Sequence, residues 1–238
     1  MSAIKVAVIN RSTVVPDKSL GPVVAALQKQ VHQDFLPIWG ADADLDVFHP
    51  EKVPAGSWVL AILDNSDQAS ALGYHDVTSG GLPLGKVFAL ADEQNGKTWT
   101  ITASHELLEM LGDPDINLTA LVEGNNGAGR LFAYEVCDPC EDDQFAYAID
   151  GVQVADFVTP AWFETFRKKG PFDFQKQIEE PFSLLPGGYI GVYDIAAGTG
   201  WQQITKDLRK TDRSRPRVGS RRERRRTPRN RWIASTAV

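Results

Sequence analysis

Residues 98–111 restrict what this chain can become more than any other stretch. Their apolar positions recur at helical spacing, and Gly112, Asp113 and Pro114 follow as a stop signal. At about 100° per residue, His105 and Glu109 leave such a helix on nearly the same side, with Thr98 and Thr102 beside them. Leu107 and Leu111 fall on the other side. The segment is expected to be an amphipathic helix whose polar front carries one imidazole and two carboxylates.

That front suits a divalent cation. A cation needs donors that converge from a rigid element, and an i, i+4 pair on a helix gives two without loop strain. His105 and Glu109 are therefore candidate ligands. Glu106, adjacent to the first, would lean toward an attacking water instead, which is the place of a general base. Gly112 lets the chain leave the helix sharply, so that Asp115 can swing back as a third ligand. A solvated helix face carries glutamates too, but a His-Glu-x-x-Glu spacing followed by Gly and Asp is harder to reach by chance.

Residues His105-Glu106-Leu-Leu-Glu109-Met-Leu-Gly112-Asp-Pro-Asp115 resemble the metzincin signature HExxHxxGxxH, and more closely its HExxHxxGxxD form in snapalysin-type proteases. The resemblance implies a zincin-like α/β (α+β) fold, in which a mixed sheet leads into the active-site helix and a smaller C-terminal lobe of short strands follows. It implies a metal-dependent, peptidase-like hydrolase acting on a peptide or protein, with His105, Glu109 and Asp115 as ligands, Glu106 as base and zinc as the first choice of metal. Two features depart from the pattern. The chain has two methionines, Met1 and Met110, so no methionine turn lies beneath the metal. Glu109 stands where the family has its second histidine, which makes the site harder and more negative and brings Mn²⁺, Fe²⁺ and Ca²⁺ into competition.

A second resemblance reaches further along the chain. Ser104-His105-Glu106, Glu109 and Asp113-Pro114, then Glu135-Val-Cys137-Asp138, are similar to the SHExxE…DP and E-I-x-D-x-C segments of phosphate-induced, exordium-like proteins. This implies that Glu135 and Asp138 lie near the helix, as ligands or as carboxylates that orient them, and makes Asp113 a rival to Asp115.

Around the helix the order reads as strand 4–9, helix 20–32, strands 45–48 and 58–63, an exposed glycine-rich connection 72–83, and strand 86–90. After it come short strands at 131–136, 146–149 and 152–158, a short helix at 160–166, and a turn and strand at 186–193. The expected division is an N-terminal zincin-like lobe 1–112, a C-terminal lobe 113–205 and a basic tail 206–238.

The tail holds 13 Lys and Arg against 3 acidic residues, so of the chain's net −6 the remainder carries about −16. Such a tail suits docking on an acidic partner, or on this chain's own body in a homo-oligomer or larger particle. Nucleic acid is the weaker partner, because no aromatic residue interleaves the arginines before Trp232. The competing functional reading is thus a non-catalytic assembly module.

Cys137 and Cys140 lack a second pair to complete a metal site, and are expected as small buried residues closing a turn around Pro139. His32, His49 and His75 lack partners at ligand spacing; His75 is the best placed of them but is not expected to bind. The longest apolar run, 58–63, is too short to cross a bilayer, and the first residues lack a secretory pattern, so a cytoplasmic location is expected.

Overall fold

The computed structural model describes residues 4–67, 71–124 and 128–206. Strand β1 (Ile4–Asn10) leads into helix α1 (Asp17–Lys29), where Asp17 in the first turn and Lys29 in the last suit the helix dipole. Leu20, Val23, Val24 and Leu27 recur at helical spacing and form the buried stripe. A π-helical turn (Gln30–Phe35) and the short α2 (Leu36–Trp39) extend the helix to Gly40, whose φ of 71° ends it. Next come β2 (Ala43–Phe48), β3 (Trp58–Leu63), β4 (Gly73–Val77), β5 (Pro83–Phe88), α3 (Ala89–Gln94) and α4 (Trp99–Gly112).

The five strands form one mixed sheet in the order β2-β1-β3-β5-β4. Its first four members run parallel, and β4 pairs antiparallel with β5. Alternation along β1 and β3 gives the sheet two faces. Val6, Val8, Leu60 and Ile62 join the main core with residues of α1 and α4, whereas Ile9, Val59 and Ala61 form a smaller cluster.

Beyond α4 come β6 (Thr119–Glu123), β7 (Gly129–Ala133), β8 (Tyr147–Ile149), β9 (Val152–Val154), β10 (Tyr189–Asp194) and β11 (Trp201–Thr205). Four of these form an antiparallel sheet, β11-β10-β7-β6, and β8 pairs with β9. Phe132, Val154, Phe157, Trp162 and Ile190 belong to the same core as the first half of the chain. Helix α4 packs on β3, β4 and β5, and also on β9, where Thr100 Oγ1 donates to Gln153 O at 2.8 Å. The molecule is α+β, with segregated sheets and few helices.

The stretch 72–83, expected as an exposed connection, contains strand β4, and the strand expected at 86–90 starts earlier and gives way to α3 after Phe88. Strands β6 and β11 were not expected. Both are edges of their sheet and mostly solvent-facing, so they gain main-chain pairing without the apolar alternation that marks a strand in sequence. Residues 207–238, with the assembly and nucleic-acid contacts expected of the basic tail, lie outside the described residues. Among the described residues no helix is long and apolar enough to cross a membrane.

Candidate metal centre

Both sides of α4 are covered. Ten of its residues are buried, including Ser104, Glu106 and Glu109, so its polar front faces protein rather than solvent. Glu106 is 5 % exposed and Glu109 3 %. An ionised carboxylate buried without partners costs several kcal/mol, so the structure must compensate these two.

Glycines let the sheet approach that front. His75 on β4 is paired with Gly85 on β5, and Gly73 lies two residues from His75, so all three point to one face of the sheet. A Cβ on Gly73 would stand 2.6 Å from both Glu106 Oε1 and Thr102 Cγ2, and one on Gly85 would come within 2.9 Å of Leu60 Cδ1 and 3.4 Å of Glu106 Cβ. With no side chain at either position, α4 settles against the sheet edge and His75 reaches the helix. His75 is only 7 % exposed.

The far wall is the segment after β7. Cys137 N donates to Glu109 Oε1 at 3.3 Å, and Val158 N to Val136 O at 2.7 Å, which ties this segment to α4 and to the chain beyond β9. It brings Glu135 and Asp138, both buried, to the same place. The helix is held from behind as well. Ser104 Oγ donates to Gln30 Oε1 at 2.6 Å and accepts from Ala155 N at 3.0 Å, while Gln30 Nε2 donates to Ala155 O at 2.9 Å.

In the resulting cluster Glu109 Oε2 lies 3.2 Å from His75 Nδ1 and 3.4 Å from His105 Nε2. His105 Nε2 is 3.3 Å from Asp138 Oδ1, His75 Nε2 is 3.7 Å from Glu135 Oε2, and His75 Nδ1 is 3.5 Å from Glu106 Oε2. That last oxygen is buried and makes no hydrogen bond. Burial opposes charge on His105, yet Glu109 and Asp138 hold its pKa well above the ordinary imidazole value. Burial would raise Glu109, but His105 and His75 pull it well below the usual carboxylate range. Burial and the nearby Glu109 push Asp138 up to about 6, against hydrogen bonds from His105 and Tyr189.

Two sets of donors can each hold a metal ion: His75, Glu109 and Glu135, and His105, Glu109 and Asp138, with donor atoms within 4.8 Å of one another. Donors at about 2.0–2.2 Å from one tetrahedral cation stand roughly 3.3–3.6 Å apart, close to the 3.4 and 3.3 Å that His105 Nε2 makes with Glu109 and Asp138, whereas Glu109 and Glu135 face different nitrogens of His75. The chemistry of the donors and the buried Glu106 oxygen without a hydrogen bond both fit a cation.

Of the residues singled out in sequence, His105, Glu106, Glu109, Glu135 and Asp138 come together here. Asp113 is buried but turns elsewhere: Oδ1 accepts from Asn117 N and Oδ2 from Leu118 N, each at 3.0 Å, which shapes the chain leaving α4. Asp115 is exposed and stands outside both donor sets. Cys137 and Cys140 are free buried thiols around a short turn at Pro139, and burial lifts both well above the ordinary thiol pKa. The donor that sequence reasoning missed is His75, hidden because Gly73, Gly80 and Gly81 read as loop markers. Tyr74 and Val77, good strand formers flanking it, were the available signal.

In comparisons with known proteins, the chain matches no family, no curated protein and no solved structure.

Proposed function

We propose that this chain is a metal-dependent, peptidase-like hydrolase with its centre on α4. The observation that carries the reading is the position of Glu106, a buried carboxylate next in sequence to His105, with Oε2 free of hydrogen bonds and 3.5 Å from His75. Glu106 stands beside the donors without belonging to either donor set.

His105, Glu109 and Asp138 would hold the cation, with Asp138 as third ligand in place of Asp115. Two carboxylates and one imidazole favour a borderline or hard divalent ion; Zn²⁺ remains the first choice and Mn²⁺ and Fe²⁺ follow. When bound, the ion supplies Lewis acidity, which polarises a carbonyl and makes water easier to deprotonate. Glu106 accepts the proton of the attacking water and passes it to the leaving amine. Cys137 N–H fixes Glu109 through Oε1, and Ser104 with Gln30 keeps the helix from rotating. The zincin-like reading draws further support from the mixed sheet whose edge strand β4 lies beside the helix.

Glu106→Gln preserves shape and removes the base. Hydrolysis of a peptide library should fall by about 10²–10⁴-fold, with the metal content of the purified protein unchanged. Equal turnover in variant and wild type, or no cleavage by the metal-loaded wild type, would sink the proposal.

A further inference from the structure

Glu109 is approached from two sides by two different histidines. His75, from the edge strand, and His105, from the helix, both face the same oxygen, Oε2, at 3.2 and 3.4 Å. Each imidazole brings its own second carboxylate: Asp138 Oδ1 lies 3.3 Å from the same His105 nitrogen, Nε2, that faces Glu109, and Glu135 Oε2 lies 3.7 Å from His75 Nε2, the ring nitrogen other than the one that faces Glu109. The donors gather as two sets of three that share Glu109. We infer that the cluster is a two-cation centre, in which His75 and Glu135 hold a second divalent ion and Glu109 bridges it to the ion held by His105 and Asp138. This builds on the cation centre proposed above, but not on the hydrolytic step.

Three observations carry it. The first is direction: Glu109 Oε1 is fixed by Cys137 N–H, leaving Oε2 turned toward both histidines, so that this one oxygen is placed to bridge. The second is charge. Four carboxylates, Glu106, Glu109, Glu135 and Asp138, are buried together with two histidines. The carboxylates outnumber the imidazoles two to one, and cations among them offset the cost of burying acidic groups together. The third is Glu106, whose Oε2 is aimed at the His75 side, nine-tenths buried and without a hydrogen bond.

The ligand class follows from the donors. Each set offers one nitrogen and two carboxylates, which suits Zn²⁺, Mn²⁺ or Fe²⁺ rather than a thiolate-seeking ion. Paired ions in such centres stand about 3.5–4 Å apart, close enough for one carboxylate to span them.

The test uses the full chain, stripped with a chelator and dialysed against micromolar Zn²⁺ or Mn²⁺, then read by elemental analysis. Wild type should retain two cations per chain. His75→Asn and Glu135→Gln should each retain one, His105→Asn should retain one, and Glu109→Gln should weaken both. Because a variant can fail to fold, the Mn²⁺-loaded wild type is also examined by electron paramagnetic resonance. An exchange-coupled pair is expected, and an isolated-ion spectrum is expected for Glu135→Gln. A single cation in wild type, or two whose retention ignores His75 and Glu135, or uncoupled Mn²⁺ in wild type overturns the inference. Two coupled cations without peptide cleavage would leave the centre and remove the hydrolase, whereas cleavage with one cation would do the reverse.

Discussion

Asp156 and Asp173 are both buried in the interior, where burial favours the protonated form of Asp156. Asp156 Oδ1 accepts from Phe157 N at 2.8 Å and Gln175 N at 3.1 Å, while Asp173 accepts from Ile178 N at 2.8 Å and Gln177 N at 2.9 Å. Burial, then the neighbouring Asp173, push Asp156 up to about 8. A carboxyl whose folded pKa is raised contributes stability that is full below about pH 4, its unfolded value, and is lost as pH rises toward about 8. Asp156→Asn stays neutral throughout and keeps a donor for Asp173. Its melting temperature should therefore exceed that of wild type at pH 8, by roughly 2–4 °C for each kcal/mol regained, and the difference should shrink toward pH 5. Thermal unfolding at both pH values checks this, and a variant no more stable than wild type at pH 8 contradicts it. The aspartates that follow α4 mark a limit of sequence reading. Asp113, Asp115 and Asp138 are the same residue type within one short region, yet backbone N–H groups occupy the first, the second is exposed and a histidine meets the third. Spacing along α4 located the site; it did not say which later carboxylate would return to it.

At the scale of elements, the close approach of β4 to α4 positions the centre, and Gly73 permits it. Gly73→Ala places a methyl group 2.6 Å from Glu106 Oε1 and Thr102 Cγ2, so strand or helix must shift. A loss of about 1–3 kcal/mol is expected in denaturant unfolding. Gly80→Ala, whose nearest neighbour would be Thr78 Oγ1 at 3.7 Å, should be near neutral. Equal stability of the two variants would contradict the account. The helix, β1 and β3 were legible because periodicity and branched residues both point to their buried faces. Strand β4 was not, because the glycines that admit the helix are also the residues that usually signal a loop, and with β4 went His75.

For the molecule as a whole, one core runs from β1 through α4 to β10, and the cluster sits where the mixed sheet, the helix and the segment after β7 meet. Each of these alone supplies one or two donors; the centre exists only when the three are packed together. The two halves of the chain were separable in sequence by texture, but the core they share was not, since long-range packing leaves no local pattern. Cys137 and Cys140 stand outside both donor sets although they lie beside Asp138 in the chain. The most direct measurement of the central claim is X-ray absorption at the metal edge of the chain reconstituted with Zn²⁺. The account predicts nitrogen and oxygen donors at about 2.0–2.2 Å, with imidazole scattering and no sulfur. A sulfur shell at about 2.3 Å, or no retained metal to measure, would contradict it.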